Sequence, residues 1–284
     1  MQIYNHKISL IAFDLDDTLL TSSGNISKTT LEKIDQVRSR GVKITICSGR
    51  ISYMQQLYVL ELGIQGPYVG CNGALVVNSV DGSIVFSKTI DPGALKRLAA
   101  FTRNIDLHLC VQAANAFYIT PGSFRTPVFL SYQKKIAERG LPVVPVLDLD
   151  KDFGNYDGSP VYKLVYYITS TRDREQLALL KEFLDGEPEL AYTISGENMF
   201  EVIPPGVDKG TGIERVAEFY GIPLKEVCAF GDYDNDIPLF QKAGFSVAMG
   251  NASDNLKAWA NYITDTNDND GIAKALEALD NCFG

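Results

Sequence analysis

The stretch Leu10-Ile11-Ala12-Phe13-Asp14-Leu15-Asp16-Asp17-Thr18 decides how the rest of the chain is read. Ser9 to Phe13 is short, apolar and bulky, and it stops abruptly in acids. A run of that length reads as a buried parallel strand, because a helix needs more residues and a 3.6-residue period. Crowded carboxylates repel, and burying them costs free energy unless a cation or hydrogen bonds compensate. The pattern recurs far along the chain. Val227 to Gly231 is another apolar run, and Asp232, Asp234 and Asp236 follow it. One such cluster reads equally well as a solvated turn with capping aspartates. Two clusters, each after an apolar strand, point instead to a shared cation. An all-oxygen ligand set suits a hard ion such as Mg²⁺.

Working outward, Ser27 to Arg40 has helical spacing, with Leu31, Ile34 and Val37 at three-residue steps, Ser27 as N-cap and Gly41 after the end. Val42 to Cys47 reads as a second strand ending at Ser48-Gly49-Arg50. A helix from Ser52 to about Leu62 and a third strand, Pro67 to Cys71, ending at Asn72-Gly73, follow. This β-α-β-α-β rhythm predicts an α/β, doubly wound, Rossmann-like parallel sheet.

The rhythm then breaks. Ala74–Asn78 and Ile84–Thr89 flank a turn at Val80-Asp81-Gly82, and Leu107–Gln112 with Ala116–Thr120 reads as another hairpin. Helices are expected at Asp91–Arg103, Tyr132–Arg139 and Arg172–Leu184, with a connector at Leu141–Asp157. Strands are expected at Val161–Thr169, Leu190–Ile194 and Met199–Ile203, the last two meeting at Gly196-Glu197. The aromatic run Tyr162 to Tyr167 reads as sheet core rather than as a ring-stacking site. From Asp208 the first rhythm resumes: helix Lys209–Tyr220, strand Val227–Gly231, helix Ile237–Ala243, strand Phe245–Met249, and helices Ser253–Asn261 and Ile272–Leu279. The expectation is one α/β core made of residues 1–83 and 196–284, interrupted by an α+β insertion, 84–195.

Composition narrows the function. The 284 residues carry a formal net charge of -9, which argues against a general polyanion binder, since nucleic-acid affinity rests on Lys and Arg meeting phosphates. A small anionic substrate needs only a local positive site. No apolar run reaches the roughly 20 residues of a membrane span. Met1 to His6 is polar and mixed, unlike the basic lead of a signal peptide. The five cysteines, at 47, 71, 110, 228 and 282, form no Cys-x-x-Cys pair, so reduced thiols in a cytoplasmic protein are expected. Two histidines, His6 and His108, lie in no motif that would support a Ser-His-Asp triad.

Ligands in parallel α/β sheets sit beyond the carboxyl ends of the strands. Asp14 with Asp16, Ser48 with Gly49, Asn72 with Gly73, and Asp232 with Asn235 and Asp236 all fall there. Lys209 opens a helix, where a cation opposes the dipole, so a bland helix would carry an acid instead.

Together these elements resemble the haloacid dehalogenase-like hydrolase superfamily, specifically its Cof-type phosphatases with a large (type IIB) cap. The resemblance rests on Asp14-x-Asp16-x-Thr18, on Ser48 in Cys47-Ser48-Gly49-Arg50, on Cys71-Asn72-Gly73-Ala74, on Lys209 in Asp208-Lys209-Gly210, and on Gly231-Asp232-x-x-Asn235-Asp236. It covers nearly the whole chain in order. It implies a Mg²⁺-dependent phosphatase for small phosphorylated metabolites, such as sugar phosphates or phosphorylated cofactors. Asp14 would be the nucleophile and Asp16 the proton-transfer residue. Asp14, the Asp16 carbonyl and Asp232 would hold the metal, with Asp236 fixing Lys209 or a metal-bound water. Ser48 and the amides of Leu15 and Gly49 would donate to phosphoryl oxygens, Lys209 would balance their charge, and Asn235 and Asn72 would bind phosphate or substrate. Arg50 either contacts substrate or pairs with an acid. The resemblance also leaves open a phosphomutase and a catalytically silent metal-binding regulator. Oligomeric state is not legible.

Overall fold

The computed structural model describes residues 7–196 and 198–283. Met1–His6 and the turn residue Glu197 therefore lie outside the described residues. The chain divides into two compact units, residues 1–87 with 208–284, and residues 88–207.

In chain order, the first unit begins with β1 (Leu10–Phe13), α1 (Lys28–Ser39), β2 (Lys43–Ile46), α2 (Gln56–Glu61), β3 (Pro67–Gly70), β4 (Leu75–Asn78) and β5 (Ile84–Ser87). The second unit holds α3 (Pro92–Thr102), β6 (His108–Ala113), β7 (Phe117–Ile119), α4 (Thr126–Glu138), β8 (Val146–Asp148), α5 (Leu149–Asp152), β9 (Val161–Tyr167), α6 (Thr171–Asp185), β10 (Ala191–Ile194) and β11 (Met199–Ile203). The first unit then resumes with α7 (Lys209–Tyr220), β12 (Val227–Gly231), α8 (Ile237–Lys242), β13 (Phe245–Ala248), α9 (Asp254–Lys257), β14 (Tyr262–Ile263) and α10 (Gly271–Ala278).

The core sheet of the first unit is five-stranded and parallel, in the order β14-β13-β12-β1-β2. From β1 the chain moves outward to β2, and from β12 it moves the opposite way to β13 and β14. The reversal falls between β1 and β12, and it opens a crevice at their carboxyl ends. Phe13 sits opposite Phe230 in register, so the acids after each strand emerge side by side. Every residue of β1 and β12 is buried, as a central parallel strand requires. Ser27 caps α1 by accepting from the Thr30 amide at 3.1 Å.

Pro67–Gly70 departs from the expected pattern. It meets the parallel sheet through a single bridge, Cys47 to Val69, and then forms a separate antiparallel sheet, β3-β4-β5. The cause lies in Cys71, Asn72 and Gly73, all left-handed at φ 51, 52 and 94°. Three such residues turn the chain straight back on itself. A Cβ at Gly73 would also overlap the Asp208 carbonyl, so only glycine fits there.

The expected helix at Ser253–Asn261 shrinks to α9. Asn261 Oδ1 accepts from the Ser246 amide at 2.8 Å, and Ser246 Oγ donates to the Trp259 carbonyl at 3.1 Å. These bonds draw the chain onto β13 and create β14.

The second unit has one mixed sheet, ordered β10-β11-β9-β6-β7-β8. One face packs on α3 and α6 through Leu95, Leu98, Leu180 and Leu184, with Leu109, Val111, Leu164, Tyr166, Phe200 and Val202 from the strands. Tyr166 thus belongs to the core. Helix α4 starts at Thr126, six residues before the expected Tyr132, with Pro127 in its first turn. The connector 141–157 contains β8 and α5, the latter capped by Asp148. The unit boundaries also differ from the expected 83/84 and 195/196. β5 pairs with β4, and β11 pairs with β9, so the crossings fall at 87/88 and 207/208.

Candidate active site

Asp14 leaves β1 with its amide still bonded to the Phe230 carbonyl at 3.1 Å. The chain then makes a wide turn over Leu15–Leu19, closed by the Leu20 amide on the Leu15 carbonyl at 2.8 Å, with Asp17 left-handed at φ 55°. This turn brings Thr18 inward, where its hydroxyl donates to Asp232 Oδ1 at 2.8 Å.

Lys209 opens α7 behind the cap formed by Asp208 and Thr211. Its Nζ is 2.7 Å from Asp14 Oδ1 and 2.5 Å from Asp236 Oδ1, and its side chain is only 1% exposed. Asp236 is fully buried and accepts from the Asp232 amide through its other oxygen at 3.1 Å. A Cβ at Gly231 would fall 2.6 Å from that carboxyl group, so glycine lets Asp236 fold back over the strand end.

Asp14, Asp232 and Asp236 each offer an oxygen within 4.8 Å of the others. Three buried carboxylates around one ammonium leave an excess of negative charge that burial makes costly. Its effects are visible in the titration of the cluster. Burial pushes Asp14 up to about 7 against the pull of Lys209, and Asp236 and Asp16 add to the rise. Burial also pushes Asp232 up to about 9, helped by Asp14 and Asp236 and resisted by the Thr18 hydroxyl and Lys209. For Lys209, burial favours the neutral amine, but Asp14 and Asp236 prevail and hold it protonated. A hard divalent cation relieves this strain, and the all-oxygen donor set fits one. Neighbouring Cys47 stays a thiol, pushed up by burial, and its Sγ donates to the Lys209 carbonyl.

The remaining predicted residues form the other wall. The Ser48 carbonyl accepts from the Asn72 amide at 3.1 Å, and its hydroxyl accepts from the Arg50 amide at 3.1 Å. Asn235 Nδ2 donates to Asn72 Oδ1 at 3.3 Å. A Cβ at Gly49 would sit 3.1 Å from that same Asn72 oxygen. Ser48, Gly49, Asn72 and Asn235 are therefore neighbours, drawn from three different strand ends.

Asp16 stands apart from the buried cluster. Its side chain is 55% exposed, and both its oxygens are taken by Arg50, at 2.6 and 2.9 Å. Of the two expectations for Arg50, this structure shows the acid pair. Burial opposes the charge on Arg50, but Asp16 overrides it and raises the guanidinium further. The ring of Tyr58 lies under it at 5.4 Å. Thr18 enters the sequence reading only through the Asp14-x-Asp16-x-Thr18 motif. Its signal was a hydroxyl four residues after the first acid, in reach of the second acidic cluster.

A family model described as haloacid dehalogenase-like hydrolase matches residues 11–276. The chain belongs to that family. It is an enzyme of the phosphatase class, and its likeness extends to Cof-type relatives and to solved structures of subclass IIB. A Bacillus subtilis relative, 5-amino-6-(5-phospho-D-ribitylamino)uracil phosphatase YwtE, is 29% identical over 95% of this chain and 97% of its own. A solved phosphatase of the same superfamily from Bacteroides thetaiotaomicron is 26% identical, with a TM-score of 0.75 over 98% of this chain and 97% of its own. A subclass IIB sugar phosphatase gives a TM-score of 0.75 at 25% identity, over 96% and 99%. Among the described residues, no helix is long and apolar enough to cross a membrane.

Proposed function

We propose that this chain is a Mg²⁺-dependent phosphatase that hydrolyses small phosphorylated metabolites through an aspartyl-phosphate on Asp14. The observation that carries the reading is the buried cluster in which Lys209 Nζ reaches Asp14 at 2.7 Å and the oxygens of Asp14, Asp232 and Asp236 converge within 4.8 Å. Support for the substrate class comes from the relatives, which act on a phosphorylated ribityl compound and on sugar phosphates.

An Asp14 carboxylate oxygen attacks phosphorus, and the bond to the leaving alkoxide breaks. That oxygen takes a proton from Asp16 and departs as the alcohol. Water then attacks the acyl phosphate, Asp16 takes its proton, and inorganic phosphate leaves with Asp14 restored. Proton donation requires Asp16 to leave the Arg50 fork, because both its oxygens are occupied there as acceptors. Lys209 keeps Asp14 aimed and balances its charge. Ser48 and the amides of Leu15 and Gly49 donate to the phosphoryl oxygens, joined by Asn72 and Asn235. Asp14, Asp232 and the Asp16 carbonyl would hold Mg²⁺, which supplies screening between the nucleophile and the phosphate dianion. Asp236 fixes Lys209.

We read residues 88–207 as the cap that selects the substrate. The five cysteines are buried thiols, which supports a reducing, cytoplasmic setting. The purified protein should release phosphate from p-nitrophenyl phosphate with Mg²⁺, stop in EDTA, and lose turnover in a folded Asp14→Asn variant. Full activity in that variant rejects the nucleophile. Interconversion of sugar-phosphate isomers without free phosphate would indicate a mutase.

A further inference from the structure

Four polar side chains from late in the sequence lie along the segment that follows β1, all within the first unit. Asn251, shortly after β13, donates through Nδ2 to the Asp17 carbonyl at 2.8 Å. Asn267, shortly after β14, donates through Nδ2 to the Leu20 carbonyl at 2.9 Å. Asp268 Oδ1 accepts from the Ser22 amide at 2.8 Å, and Asp270 Oδ1 accepts from the Ser27 hydroxyl. The two asparagines are also joined, because Asn251 Oδ1 accepts from the Asn267 amide at 3.1 Å. A backbone N–H can only donate. That bond therefore fixes Asn251 with its oxygen toward Asn267 and its Nδ2 toward Asp17.

The first of these contacts falls at a sensitive place. Asp17 is left-handed, at φ 55° and ψ 7°. A residue with a Cβ keeps such a backbone only where its surroundings hold it. Beyond Asp17 the Thr18 hydroxyl is held by Asp232 at 2.8 Å, and the Leu20 amide closes the turn on the Leu15 carbonyl. Asn251 holds the carbonyl of Asp17 itself. The peptide between Asp16 and Asp17 is planar, so rotation about the Asp17 N–Cα bond swings the Asp16 carbonyl. We infer that Asn251, braced by Asn267, is a positioning residue: it keeps Asp17 left-handed and so aims the Asp16 carbonyl at the metal position.

A purely structural role predicts something different. Asn251 and Asp17 are both exposed, so water replaces a lost bond there and stability changes little. An aimed ligand has no such substitute. Groups that orient metal ligands typically cost about tenfold or more in metal affinity or activity when removed.

The inference rests on the reading of the Asp16 carbonyl as a metal ligand, and the test separates the two. Isothermal titration calorimetry gives the Mg²⁺ Kd, p-nitrophenyl phosphate gives kcat, and melting in EDTA shows that each variant is folded. Asn251→Ala should raise the Mg²⁺ Kd and lower kcat, each about tenfold, while melting no more than about 4 °C below the native chain. Asn251→Asp keeps the bond from the Asn267 amide and removes only the donor to Asp17. It should lose Mg²⁺ affinity as well, although its added negative charge alone favours a cation. Ser27→Ala is the control. It removes the bond to Asp270 and the cap on the Thr30 amide, so it should melt lower, yet keep Kd and kcat within about twofold of native. Native-like Kd and kcat in folded Asn251→Ala or Asn251→Asp, or an equal loss in Ser27→Ala, overturns the inference while leaving the phosphatase reading intact. Absence of both Mg²⁺ binding and phosphate release in the native chain rejects that reading, and the inference with it.

Discussion

Lys209→Met removes one charge from the buried cluster while keeping an unbranched, apolar stem. Two contacts are lost, at 2.7 Å to Asp14 and 2.5 Å to Asp236, from a side chain only 1% exposed. Breaking a buried pair by deleting one partner costs about 3–5 kcal/mol, because the other charge stays buried and uncompensated. The cluster has one means of relief, which is to bind a proton. Asp14 already titrates near 7 with Lys209 present, and Lys209 is what holds it down. In the variant it rises further. The folded variant then keeps a proton that the unfolded chain, with an ordinary carboxylate, has released. Stability therefore falls as pH rises. The native chain loses this dependence at Asp14 above pH 7, whereas the variant does not, so the gap widens by about 1.4 kcal/mol per pH unit there. Urea unfolding in EDTA at about pH 5.5 and about pH 8 measures it. The loss should approach the full 3–5 kcal/mol at the higher pH and be smaller at the lower, by up to about 1.4 kcal/mol. Equal losses at both values, or a total under about 1 kcal/mol, would refute the buried-charge reasoning.

Protons and Mg²⁺ compete for the same carboxylates, and Asp14 and Asp232 are both raised, to about 7 and about 9. Mg²⁺ should therefore raise the melting temperature more at pH 8 than at pH 6, read by calorimetry; a pH-independent shift contradicts the assignment. Asp232→Asn should stabilise the metal-free protein at pH 8 by relieving repulsion, and should erase most of the Mg²⁺-dependent melting shift. Gly73→Ala places a Cβ against the Asp208 carbonyl at φ 94° and should cost at least about 1–3 kcal/mol in urea unfolding; a variant within about 0.5 kcal/mol of native would show that the turn is not constrained.

Much of the site was legible because the acids, hydroxyls and glycines follow apolar runs, and run ends are where parallel sheets expose their chemistry. Asp14, Asp232 and Asp236 could be placed in this way, and Lys209 by opening a helix, where a cation opposes the dipole. What stayed hidden depends on side chains reaching across the fold. The Arg50 fork on Asp16 spans 34 residues of sequence, and no local pattern encodes it. Thr18 reaches Asp232 across 214 residues. The turn at Cys71-Asn72-Gly73 carries a φ above zero at two non-glycine residues, which composition does not announce. Strand β14 is two residues long and is recruited by Asn261, so its stretch of sequence reads as helix. The unit boundaries shifted because β5 pairs with β4 and β11 with β9, pairings that no local pattern encodes.

The most direct test of the central claim is peptide mapping by mass spectrometry after acid quench during turnover of p-nitrophenyl phosphate with Mg²⁺. The account predicts a phosphoryl group on the peptide containing Asp14, absent in Asp14→Asn. Steady turnover with the phosphoryl group on a different side chain, or an undiminished rate in Asp14→Asn, would contradict it.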